Sequence, residues 1–209
     1  MNKTYILGIG SGRCGTQSLA ALLNGCSQVN VSHEFRERGD KHYRLSWYFN
    51  KVEANRRLNL LKNLKGNYVG DIAHYYLNYI KYFQKHLDNL KIIYLYRDTE
   101  EVIESFMRKT KQVGNRCHWL PKWHEDMIKN RYTHEPWTKT FPQFIHAKDK
   151  RDAIRMYCKK YKNRALSIPN VHLFNTKDLN NKTKLDYLYN YIGIKKQDRN
   201  YNLEWKNKS

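Results

Sequence analysis

The sequence predicts an α/β protein: three layers, with a mainly parallel central sheet between flanking helices. Three observations carry this. Strand-length apolar runs alternate with helical stretches along the chain. The first run, residues 4–9, empties into a glycine turn and then directly into a helix. The run Lys91–Tyr96 is almost unbroken apolar, as a strand buried on both faces requires.

Each element has its own signal. After the first strand, Leu19, Ala20, Leu22 and Leu23 give the stretch Thr16–Asn24 one apolar face, and Gly25 stops it. Val29–Val31 reads as a short second strand that runs into the polar loop 32–39. Residues 46–64 have a charged helical pattern, punctuated by Gly66, and residues 67–74 follow as a third strand and loop. Tyr76, Ile80 and Phe83 mark a helix stripe. Beyond Lys91–Tyr96, the segment Glu100–Lys109 has acids in its first turn and bases in its last, matched to the helix dipole. Residues 150–167 return to helix, Val171–Phe174 make a late strand, and Lys184–Tyr191 a final helix closed by Gly193. The tail from Lys195 reads as polar and loose. One domain over 1–209 is expected, with an irregular insertion at about 110–150 as a substrate cover; its Trp119, Trp123 and Trp137 either shape an acceptor cleft or pack the segment against the core.

Composition narrows the class. No apolar stretch reaches the length of a membrane span, and the apolar run at the start is too short for a secretion signal, so a cytoplasmic protein is expected. Cys14, Cys26, Cys117 and Cys158 lack the spacing of a disulfide framework or a zinc site. With 39 Lys+Arg against 19 Asp+Glu, the formal charge is +20, which attracts anionic ligands. Nothing matches a nucleic-acid reader motif, and the basic residues are dispersed, so nucleic acid is not the expected partner.

The chemistry concentrates at strand ends, where α/β sheets bind ligands. Gly10, Gly12 and Gly15 let backbone amides turn into one concavity ahead of a helix N-terminus, and Arg13 sits within the turn. Gly10 and Gly15 have P-loop spacing, making this a P-loop-like strand–loop–helix. Thr16 and Gln17 nevertheless stand where a triphosphatase carries Lys and Ser/Thr, which argues against a nucleotide or small-molecule kinase, the principal alternative. Arg97 leaves the strand at 91–96, with Ser105 eight positions later on the next helix. The loops 10–18, 32–39 and 97–105 are expected to converge.

Together these motifs resemble the sulfotransferase superfamily that uses 3′-phosphoadenosine 5′-phosphosulfate (PAPS). Gly12-Arg13-Cys14-Gly15-Thr16-Gln17-Ser18-Leu19 is similar to the family's 5′-phosphosulfate loop. Lys91–Phe106 is similar to its 3′-phosphate motif, with Thr99 where proline is usual. Tyr68–Leu77 resembles the Gly-Glu-Lys-Ser/Thr-Pro-x-Tyr-Leu element of bacterial and carbohydrate sulfotransferases, although Ile72 replaces the lysine. Asn170–Leu179 fits the family's late strand and Glu-Asp-Leu pattern.

The resemblance implies PAPS as donor, 3′,5′-adenosine bisphosphate as product, no metal, and a hydroxyl or amine acceptor such as a carbohydrate or polar metabolite. Gly12, Arg13, Cys14, Gly15, Thr16, Gln17 and Ser18 would then hold the phosphosulfate, and Arg97 and Ser105 the 3′-phosphate. Transfer to a hydroxyl needs a base within hydrogen-bond reach. By position Glu34 resembles the glutamate base of glycan and tyrosylprotein sulfotransferases, with His33 beside it to orient the carboxylate or the acceptor. His74 is the alternative, resembling the histidine base of the cytosolic small-molecule enzymes.

Overall fold

A computed structural model describes residues 3–35, 44–112, 118–120 and 138–202. The calls on Cys117, Trp123 and Trp137, on loop residues 36–39 and on most of the 110–150 insertion lie outside them.

Five strands form one parallel sheet in the order β2-β3-β1-β4-β5: β1 Thr4–Ile9, β2 Val29–His33, β3 Tyr68–Ile72, β4 Leu90–Tyr96 and β5 His172–Asn175. Among the described residues six α-helices connect or follow them: α1 Thr16–Asn24, α2 Lys51–Asn63, α3 Ile80–His86, α4 Thr99–Gln112, α5 Lys150–Leu166 and α6 Lys182–Ile192. The chain leaves β1 toward the β2 edge and leaves β4 toward the β5 edge. A right-handed crossover that reverses direction also changes face. Two cores result. Ile6, Ile93 and Leu95 face α1 and α6, while Leu7, Ile9, Ile92 and Tyr94 face α2 to α5. The adjacent strands β1 and β4, with connections that diverge, define the crevice in which such a sheet binds ligands.

Several boundaries differ from the sequence reading. The helix expected from Ser46 starts at Lys51, because the Asn50 side chain accepts the amides of Val52 and Glu53 and so begins the first turn there. The stripe at 76–83 divides into a 3₁₀ turn, His74–Tyr79, and α3. Gly25 ends α1 at φ −73°, in ordinary helical conformation; its lack of a Cβ makes room for the Asn200 side chain. The middle of the sheet is β1, with β4 beside it.

The tail is tied down as far as Asn202. Arg199 binds Asp186 on α6 at 2.6 Å, and Tyr201 donates to the same carboxylate. Of the two readings of Trp119, the structure has it in the core. It is fully buried edge-on to Phe106 and Phe141, near Tyr157. Cys14, Cys26 and Cys158 are buried free thiols. Among the described residues no helix is long and apolar enough to cross a membrane.

Candidate active site

The turn between β1 and α1 is built from both sides of the sheet. Gly12 has φ 88°, and a Cβ there would stand 2.9 Å from the Phe106 ring of α4. Arg13 also lies in the left-handed region, at φ 56°, where a non-glycine residue stores strain of roughly 1–2 kcal/mol. Helix α1 opens at Gly15, in the left-handed conformation and with no side chain of its own to cap the first turn.

Distant residues lock the turn in place. The Gly10 amide donates to the Tyr161 hydroxyl of α5 at 3.0 Å, and that hydroxyl donates to the His74 carbonyl at 2.8 Å. Thr176, just past β5, donates to the carbonyls of Cys14 (2.7 Å) and Tyr96 (3.0 Å).

The turn and the β4–α4 loop meet in direct contact. Arg13 Nε donates to Ser105 Oγ at 2.9 Å, and Arg97 Nη1 donates to the Arg13 carbonyl at 3.4 Å. Burial, and the charges of Arg97 and Arg108, hold the Arg13 guanidinium below the usual arginine range. An anion placed among these cations would relieve that strain. Glu101 meanwhile engages Arg97 at 2.6 Å and Lys177 at 3.3 Å. Beside them opens a cavity of about 370 Å³ whose lining includes Ser11, Tyr96, Arg97, Lys162, Asn175 and Lys177.

The loop after β2 supplies the third component. Thr16 Oγ1 and His33 Nε2 share a 3.0 Å hydrogen bond, so the phosphate-type turn touches the β2 end directly. Glu34 is nearly buried. One of its oxygens lies 3.8 Å from His74 Nδ1 and 4.0 Å from His33 Nε2, and the other lies 3.8 Å from Arg44. His74 stacks on Phe141, and its Nε2 lies 2.9 Å from Thr140 Oγ1. The two candidate bases are therefore neighbours in one cluster.

The expected convergence of the three loops is present. Gly12, Arg13, Gly15 and Thr16 line the turn, with Gln17 half-buried on the first turn of α1. Cys14 contributes only backbone: its side chain is fully buried, and burial pushes the thiol up to about 11. Ser18 is likewise buried on α1. Ile72 points into the α1-side core, so position 72 itself supplies no cation to the site.

Sequence reasoning missed Arg44, Lys162, Lys177 and Tyr161. Tyr161 had a signal, since it continues the Ile154, Tyr157, Cys158 stripe of α5 into the core.

The parallel five-stranded sheet, with a glycine turn between β1 and α1 and with Thr16 and Gln17 where a triphosphatase carries Lys and Ser/Thr, is of the P-loop-like α/β class. The sulfotransferase domain family matches residues 5–177, and the chain belongs to that family. A sulfotransferase from Alicyclobacillus acidocaldarius superposes with a TM-score of 0.60 at 13% identity, covering 99% of this chain and 87% of that one. A thymidylate kinase from Candida albicans aligns at TM-score 0.46 and 12% identity, over 90% of this chain and 92% of its own. Curated protein sequences gave no match.

Proposed function

We propose that this sulfotransferase takes its sulfuryl group from PAPS and transfers it to a hydroxyl acceptor, a sugar or other polar metabolite. One observation carries the reading: the Arg13–Ser105 contact joins two anion-binding loops into a single site at the crevice. PAPS bears anionic groups at both its 5′ and 3′ ends, and the residues present fit it. The glycine turn offers amides and Arg13 to one end. Arg97 and Ser105, with Lys177 and Lys162 around the adjoining cavity, offer charge and donors to the other.

When bound, PAPS supplies the sulfuryl group and a leaving group, 3′,5′-adenosine bisphosphate. The chain's part is positioning and charge stabilisation. Turn amides and Arg13 stabilise negative charge on the departing phosphate. Glu34 takes the proton from the acceptor hydroxyl, and His33 and His74 flank its carboxylate and hold it on the acceptor side of Thr16. Arg44 balances its charge. Nothing in this scheme requires a metal.

Calorimetric titration with 3′,5′-adenosine bisphosphate, AMP and ATP tests the donor. The bisphosphate should bind at least about tenfold tighter than AMP, equivalent to about 1.4 kcal/mol, and Arg97→Ala should erase that margin. Equal affinity for all three would overturn the reading. Glu34→Gln should abolish transfer while leaving bisphosphate affinity at the wild-type value.

A further inference from the structure

Asp71 is a fully buried carboxylate that no step above uses. It lies in β3, opposite Ser32 of β2 in the parallel register. Its Oδ1 accepts the Ser32 hydroxyl at 2.8 Å and the Phe35 amide at 3.1 Å. Its Oδ2 accepts the Tyr76 hydroxyl at 2.7 Å and faces Arg57 Nη1 at 3.4 Å. Arg57 comes from α2, is 1% exposed, and lays its guanidinium 4.3 Å over the Phe35 ring. The pair therefore holds both ends of one short segment, Asp71 at Ser32 and Phe35, and Arg57 at the Phe35 ring.

That segment has an unusual backbone. Glu34 and Phe35 are consecutive non-glycine residues at φ 57° and 49°. Two left-handed residues in a row persist only where the surroundings dictate them. The Phe35 amide donates to Asp71 and so ties down the second of them, and the turn carries the Glu34 carboxylate toward His33 and His74. A buried ion pair is a weak source of stability compared with apolar residues of the same volume, so stability alone accounts poorly for this one.

We propose that Asp71, braced by Arg57, is a positioning residue: it sets the left-handed turn at 34–35 and thereby aims the Glu34 carboxylate. Its catalytic consequence rests on reading Glu34 as the base.

Paired substitutions test this without leaving a lone buried charge. Arg57→Met with Asp71→Leu removes the acceptor of the Phe35 amide, whereas Arg57→Met with Asp71→Asn retains an oxygen for that amide and for Ser32. In protein labelled with ¹³C at glutamate carboxyls, the Glu34 signal at fixed pH should move in the Leu pair and return in the Asn pair. A signal unmoved in the Leu pair overturns the proposal.

Release of 3′,5′-adenosine bisphosphate from PAPS, with 4-nitrophenol as acceptor, gives the kinetic arm. The Leu pair should lower kcat roughly 10- to 100-fold with bisphosphate affinity unchanged, and the Asn pair, which keeps the acceptor for the Phe35 amide, should recover it. Equal losses of kcat in the two pairs overturn positioning. Full activity of Glu34→Gln alone overturns the base assignment instead, and the carboxyl signal still decides the role of Asp71. If the Leu pair does not fold, Tyr76→Phe removes one donor to Oδ2 and carries the same readouts at smaller amplitude.

Discussion

Tyr161→Phe is the sharpest probe of how this site is held. The hydroxyl sits in the core, accepting from the Gly10 amide at 3.0 Å and donating to the His74 carbonyl at 2.8 Å. Phenylalanine keeps the ring packing against Trp47, Tyr94 and Tyr157. Only the two hydrogen bonds go, leaving a buried N–H and a buried C=O. Each orphan costs about 1–3 kcal/mol, and carbonyls tolerate under-satisfaction better than amides. The sum is about 2–4 kcal/mol, or a fall in Tm of about 5–15 °C for a chain of this size.

Urea denaturation measures it, with Tyr157→Phe as the matched control. The Tyr157 hydroxyl is equally buried and has no hydrogen-bond partner among the described residues, so its removal should be neutral or stabilising. A loss under about 0.5 kcal/mol in Tyr161→Phe, within the range of an ordinary surface change, would refute the bridging role. Because Gly10 begins the anion turn, bisphosphate affinity should fall in the same variant. A destabilised protein that binds the bisphosphate normally would make the bridge structural only.

Other outcomes follow from neighbouring features. Gly12→Ala meets both the Phe106 ring and a φ of 88°, so it should destabilise by about 1–2 kcal/mol and weaken bisphosphate binding. Adding Phe106→Leu should recover only the steric part, as read by calorimetry and urea melts. Burial raises the Cys14 thiol to about 11 and the Cys158 thiol to about 12, so both stay protonated at pH 8; native protein should then show at most two of its four thiols to a disulfide reagent, and all four in denaturant. Arg199→Ala should raise hydrogen exchange across 196–202 without touching bisphosphate affinity. The Tyr201 hydroxyl and Arg199 hold Asp186 below the usual aspartate range, so its contribution is complete above that range and is lost as the pH falls through the depressed value; tail protection should disappear with it.

What the sequence disclosed was local. The glycine turn, the helix it opens and the basic residue after β4 each announce themselves within a few positions, because turn conformation and helix starts are short-range matters. The link between Glu34 and His74 is of another kind. It depends on β2 lying beside β3 with Ser32 opposite Asp71 and His33 opposite Ile72, a register that neither segment encodes alone. Sequence alone could therefore offer the two as alternatives and not as partners.

Arg57 was hidden differently. It occupies an apolar stripe with Ala54, Leu58 and Leu61, and a charged residue at such a position is a signal of a buried partner that went unread. The late start of α2 and the ordered tail depended on an asparagine cap and on one arginine finding Asp186, contacts that periodicity does not register.

The lock on the glycine turn also has a consequence in time. Gly10 waits for a hydroxyl 151 positions away, and the Cys14 carbonyl for one 162 positions away. Contacts of such span form late, because loop closure must precede any gain from them. During synthesis the turn is among the earliest described segments to emerge, yet it cannot take its final shape until α5 and the residue after β5 have docked. A chain interrupted before that point would carry the whole turn sequence without the two contacts that lock it, so the locked turn reports that α5 and the residue after β5 have docked.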